Sequence, residues 1–165
     1  MINAVKPVWL DEFEVRHHEC GTDGLVKLHI LFEYMQEAAA RHAAHLGAGI
    51  EYLQSNGKLW VLSRIKVEIS RYPAIGERLH VKTYPSGVEK AFASRQFTIT
   101  DSNGAVIIIA SSMWLLLDAQ KYRPLNPLKS LDVPLPKNDD QESHFPMLDK
   151  IARAEETEEA FSCDI

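Results

Sequence analysis

Residues Leu28–Leu46, LHILFEYMQEAAARHAAHL, narrow the folding options of this chain more than any other stretch. At roughly 100° per residue, Leu28, Leu31, Met35, Ala38, His42 and Leu46 share one arc, which Tyr34, Phe32, Ala39 and Ala43 widen. His29, Glu33, Glu37, Arg41 and Ala44 lie opposite. The pattern predicts one amphipathic helix, a rod of roughly 28 Å. Its alanines favour helix and also thin the rod, so that backbone or a ligand can come close. Gly47 follows the last periodic residue and suits a left-handed C-terminal cap. A single long helix must bury its stripe against something, and most of the chain from Leu59 to Leu117 reads as strand.

The strands follow from alternation and from the turns between them. In Trp9–His17, Phe13 and Val15 share one face while Glu12, Glu14 and Arg16 share the other. The link from His18 to Lys27 carries two glycines and an Asp-Gly pair, and reads as loop. After the helix, Gly49–Gly57 reads as a short helical turn. Leu59–Arg71 is a strand with Ile65, Val67 and Ile69 on one face and Lys66, Glu68 and Ser70 on the other. Tyr72-Pro73-Ala74-Ile75-Gly76 turns the chain into a returning strand through Leu79, Val81 and Thr83, which Pro85-Ser86-Gly87 is expected to close. Phe92–Thr100 and Ala105–Leu117 are two further strands, joined at Asp101-Ser102-Asn103-Gly104. The last is nearly all apolar, which a two-sided burial such as an oligomer contact or a ligand tunnel would explain. Tight turns make antiparallel neighbours. The expected fold class is α+β, a curved antiparallel sheet wrapped around one long central helix.

Past Asp118 the character changes. Five of the eight prolines (Pro124, Pro127, Pro134, Pro136, Pro146) fall within residues 124–146, which read as an extended connector that excludes helix and central strand. The expected division is a domain over 1–123, a Pro-rich linker over 124–146 and an acidic tail over 147–165. From Asp149 to Ile165 six acids face two bases, so this stretch supplies −4 of the net charge of −5 and the body is nearly neutral. No basic run supports nucleic-acid binding, and no apolar run approaches the roughly 20 residues of a membrane helix. MINAVKPVW lacks the apolar core of a secretory signal, and two cysteines, Cys20 and Cys163, do not make a disulfide scaffold. The expected setting is a reducing, cytoplasmic one.

Chemistry-bearing residues are few. Phosphate-loop, HExxH, GxSxG and CxxC patterns are absent from the sequence. Glu37, beside the alanines, has the chemistry to activate water toward an acyl group, but the helical wheel favours an ion pair with Arg41 on the solvent side. His42 falls inside the apolar arc and reads as a hydrogen-bonded core histidine. With His45 it forms an i,i+3 pair, a weak metal signal without a third ligand. Glu19 and Asp23 flank the loop before the helix, where they serve either as catalytic acids or as turn and helix-dipole residues. Cys20 lies between them with nothing to mark it as an activated thiolate. His17-His18 reads as a solvated pair at a strand end. Trp60 and Trp114 fit a core or the wall of an acyl tunnel.

Three segments together resemble a known family. YMQEAAARHAAHLGAG (Tyr34–Gly49), LWVLSRIKVEISRYPAIGERLHVKTYP (Leu59–Pro85) and SRQFTITDSNGAVIIIASSMWLLLDAQKYRP (Ser94–Pro124) are similar, in collinear order, to the first half of the acyl-acyl carrier protein thioesterases. The likeness runs from about Glu12 to Leu125. It implies a hotdog fold, hydrolysis of acyl-carrier-protein thioesters without a cofactor, and pairing of hotdogs into a dimer. In that family two hotdogs stand in tandem, and the second carries an Asn-x-His motif within D-x-D-x-N-x-H-V-N-N. That signature is absent from these 165 residues. Glu159–Ile165, EAFSCDI, resembles the strand leading into it, so a second hotdog is expected to begin there. No catalytic residue carries over; the resemblance implies an acyl pocket near Met35, Ala39, His42 and Trp60. Two other readings stay open: a non-catalytic acyl-binding hotdog, and a stand-alone acyl-CoA thioesterase using Glu37, Glu19 or Asp23.

Overall fold

The computed structural model describes residues 6–133, 135–136, 138–145 and 148–149. The order is β1 (Trp9–Glu14), α1 (Leu28–His45), α2 (Ile50–Ser55), β2 (Lys58–Ile69), β3 (Arg78–Glu89), β4 (Phe92–Asp101), β5 (Val106–Asp118), β6 (Pro124–Leu125) and α3 (Pro127–Ser130). One antiparallel sheet runs β1-β3-β4-β5-β2, with β6 added beside β5. Leu31, Met35 and Ala38 of α1 press on Val81, Phe97, Ile99, Ile108 and Ala110 of the sheet, all at most 1% exposed. Burying each large apolar side chain there contributes roughly 1.5–3 kcal/mol. The chain is α+β, with the sheet curved around a central helix.

Helix α1 ends where its glycine allows. Gly47 adopts φ +80°, and the Ala48 N–H donates to the Ala43 carbonyl at 2.8 Å, satisfying an orphan carbonyl of the last turn. One residue of the expected stripe departs from it: Leu28, in the first turn, is 47% exposed, while Ile30 is buried instead. Gly49 then lets α2 fold back on α1. A Cβ there would stand 2.8 Å from Ala44 Cα, a backbone atom that cannot swing aside. Gly49→Ala is therefore expected to cost about 1–3 kcal/mol by overpacking, read as a lower urea midpoint. An unchanged midpoint would show that the two helices part freely.

Three expectations need correcting. The first strand ends at Glu14 rather than His17, because Val15 turns to bond Glu77 and Gly76, and His17–Glu19 forms a 3-10 turn. Pro85-Ser86-Gly87 does not close β3: it is a bulge, the register slipping between Pro85 and Gly87, and the strand continues to Glu89. Proline lacks the N–H that a regular ladder needs, and a bulge absorbs that loss. The proline-rich run contains both strand and helix. Pro124–Leu125 pairs with Leu116 and Leu117 of β5, just past the last β4 partner, Leu115. Pro127 opens the one-turn α3, where its missing N–H costs nothing, and Asn126 caps it by accepting from the Leu128 N–H.

The inner side of β5 meets the core. Residues 138–145 lie against the neighbouring strands β3 and β4. The Tyr84 hydroxyl donates to the Glu142 carbonyl, Thr98 bonds His144 at 2.8 Å, and the His144 N–H donates to Gln96. The acidic stretch expected over 147–165, including EAFSCDI, lies outside the described residues except for Leu148 and Asp149.

Candidate functional site

Where alanines thin α1, the sheet does not close on the helix, and a slot of about 720 Å³ opens. Ala39, Ala40 and Ala44 form the α1 wall, continued by Ala48, Gly49, Ile50 and Leu53. Facing them are Leu59 and Trp60 of β2, Trp114 of β5, and Ala93 and Arg95 of β4. The indole N–H of Trp114 donates to Ser112 Oγ at 2.8 Å, which satisfies its polar edge. Exposed Glu37 and Gln54 stand at the rim. A space walled mostly by apolar side chains suits an aliphatic chain.

Of the residues expected around an acyl chain, Ala39 and Trp60 line this slot, whereas Met35 and His42 lie in the packed interior beside it. Glu37 bonds Arg41 at 2.8 Å, in the i,i+4 geometry expected of it. Arg41 also reaches Asp11 at 2.9 Å, tying α1 to β1. Glu19 is buried, and its Oε2 accepts from the Tyr34 hydroxyl and the Arg16 N–H, both at 2.6 Å. Burial and the Glu19 carboxylate hold the Tyr34 phenol well above its ordinary range. Asp23 caps its own turn by accepting from the Leu25 N–H at 3.1 Å. Glu19 and Tyr34 line a second, polar cleft with Glu33, Glu37 and Arg41, away from Trp60 and Trp114.

Arg95 is the residue that the sequence reading passed over. Its Nη1 donates to Thr83 Oγ1 and lies 3.2 Å from each of Thr83 Oγ1 and His42 Nδ1. His42 Nε2 is 2.9 Å from the Lys6 carbonyl. A guanidinium only donates and a carbonyl only accepts, so the imidazole proton belongs on Nε2 and Nδ1 accepts. His42 stacks on Trp9, ring centroids 5.8 Å apart, and is fully buried. Burial pushes its pKa down to about 4, and Arg95 and His45 add to the fall. Burial also lowers the Arg95 guanidinium to about 10. Strand parity was the available signal, since Arg95 shares the inward face of β4 with Phe97 and Ile99.

An antiparallel sheet curled on one long helix, with an apolar slot between them, defines a hotdog-type domain. The chain belongs to the acyl-ACP thioesterase family, whose N-terminal domain model matches residues 6–130. A chloroplastic acyl-(acyl-carrier-protein) hydrolase, FATB3, of Cuphea viscosissima is 29% identical over 121 residues, covering 69% of this chain and 29% of that protein. Two solved structures share the fold. An acyl-ACP thioesterase from Bacteroides thetaiotaomicron has a TM-score of 0.70 at 24% identity, covering 87% of this chain and 60% of its own. A putative oleoyl thioesterase from Lactobacillus plantarum has a TM-score of 0.75 at 22% identity, covering 96% and 61%. The chain thus spans less than a third of that curated relative and about three fifths of these two structures.

Proposed function

We propose that this chain holds the acyl group of an acyl-carrier-protein thioester in the alanine-walled slot, in the service of thioester hydrolysis that releases a free fatty acid. The observation that carries this reading is the slot of about 720 Å³, apolar along its walls and polar at its rim. In the reaction, water adds to the thioester carbonyl, the C–S bond breaks, and the carrier's thiol leaves with a proton. The part assigned to the described residues is to bind and orient the chain. Ala39, Ala40 and Ala44 leave width for it, and Trp60 and Trp114 offer flat apolar walls.

The test is a substitution that fills the slot without touching the core. Ala40 lines the slot yet is exposed, so Ala40→Trp adds bulk to the slot at a helix-propensity cost of a few tenths of a kcal/mol. Dodecanoyl-N-acetylcysteamine is expected to raise the melting temperature of the wild-type chain, and Ala40→Trp to weaken that binding by about tenfold or more, the scale of losing buried apolar contact. Retained binding in a folded Ala40→Trp chain would place the acyl group elsewhere.

A further inference from the structure

A cation in the wall of a greasy slot calls for a partner. Arg95 lies in the same inward row of β4 as Phe97 and Ile99, which are 1% and 0% exposed. Placing a guanidinium there is costly unless its charge and its donors are met. Within the described residues only part of that demand is met. Nη1 is held by Thr83 and His42, both fully buried, and Thr83 is fixed in turn because its hydroxyl donates to the Gln96 carbonyl at 2.8 Å. Among the described residues no carboxylate lies within ion-pairing distance of Arg95, in contrast to Arg41 and Arg71, each of which holds two. Nor does any fully buried, described side-chain nitrogen or oxygen lack a hydrogen bond. Among the described residues the remaining Arg95 donors have no hydrogen-bond partner, and the space that Arg95 lines is the slot.

From this geometry we infer that Arg95, braced by His42 and Thr83, is a binding site for a carboxylate carried on an aliphatic chain. A guanidinium fork matches a carboxylate with two parallel N–H···O bonds, and low surrounding polarity strengthens them. The apolar walls require that the rest of the ligand be hydrocarbon. Such a carboxylate comes from one of two sources: the head of a free fatty acid entering carboxylate first, or the far end of an ω-carboxyacyl thioester. The inference rests on the slot being the acyl site.

The experiment measures binding to the full chain by calorimetry, with dodecanoate and dodecan-1-ol as probes. The wild-type chain is expected to prefer the acid by about tenfold or more, the scale of a hydrogen bond to a charged group. Arg95→Met is expected to erase that preference and leave the affinity for the alcohol in place. Arg95→Lys, which keeps the charge without the fork, is expected to retain part of it and guards against a folding defect in the first variant. A wild-type chain that binds both probes equally, or an Arg95→Met chain that keeps the preference, overturns the carboxylate site while sparing the slot. Failure to bind either probe overturns both readings. A further pair, 11-carboxyundecanoyl- and dodecanoyl-N-acetylcysteamine, separates the sources. An Arg95-dependent preference for the first assigns the site to an acyl tail, and equal affinity assigns it to the free acid.

Discussion

Phe97→Ala is expected to lower the unfolding free energy by about 3–5 kcal/mol, more than any other single change considered for this chain. Phe97 is 1% exposed on the inward face of β4, opposite Thr83 on one side and Ala110 on the other. It stands in the cluster where Leu31, Met35 and Ala38 of α1 meet the sheet. Deleting the ring removes its transfer free energy and also leaves a cavity, because Val81, Ile99 and Ala110 are tied into the ladder and cannot collapse inward. Alanine also loses the strand preference of an aromatic residue. For a domain of this size the loss corresponds to a fall in melting temperature of roughly 6–20 °C. Leu10→Ala is the control: Leu10 is 71% exposed on β1, and its truncation should change stability by no more than about 0.5 kcal/mol. Equal losses at the two sites, measured by urea titration followed by circular dichroism, would mean that α1 is not the body on which the sheet folds.

That contrast also marks what periodicity can read. The stripe Leu31, Met35, Ala38, His42 and the row Leu79, Val81, Thr83 each report one surface, and the two surfaces face each other in the fold. The pairing of Glu37 with Arg41 was legible for the same reason, since it depends on spacing within a single helix. The slot was legible only in part: the alanines and the Trp60–Trp114 pair pointed to room for a ligand, but where that room opens depends on a gap between elements. Ala40 and Ala44 look like solvent-facing alanines on a wheel, and only the return of α2 across Gly49 turns that side of α1 into a wall. The prolines misled in two opposite ways. Pro85 marked a bulge in the middle of a strand rather than its end, and Pro127 marked the start of a helical turn rather than its exclusion. Both outcomes follow from a missing N–H, which is harmless wherever the ladder or the helix has no use for it. Arg95 was readable by parity, but a charge among apolar neighbours is easily taken for a strand-edge residue until its partners are known.

Acid is expected to destabilise the chain from about pH 6.5 downward, well before its carboxylates titrate, and His42 is the reason. The folded pKa of about 4 lies below the ordinary 6.5, so between these values the unfolded chain holds a proton that the folded chain refuses. Stability from this source is fully present above pH 6.5 and is lost as pH falls toward 4. The difference is about 3 kcal/mol in all, of which about 2 kcal/mol goes between pH 7 and pH 5. Glu77, Asp101 and Asp118 have the opposite kind of shift. Hydrogen bonds, together with Arg71 for the first two, hold them below their ordinary values of 4.5 and 3.8. Their contribution too is lost on acidification, but only as pH drops through the ordinary carboxylate range and below. Urea midpoints taken at half-unit steps should therefore fall steadily from pH 6.5 to 5 in the wild-type chain. In His42→Gln they should be flat over that interval, even though this variant starts lower for want of the Lys6 and Arg95 contacts. A wild-type profile as flat as the variant's would mean that the imidazole is charged in the fold. In that state Nδ1 would carry a hydrogen facing the Arg95 guanidinium, with no acceptor left between them.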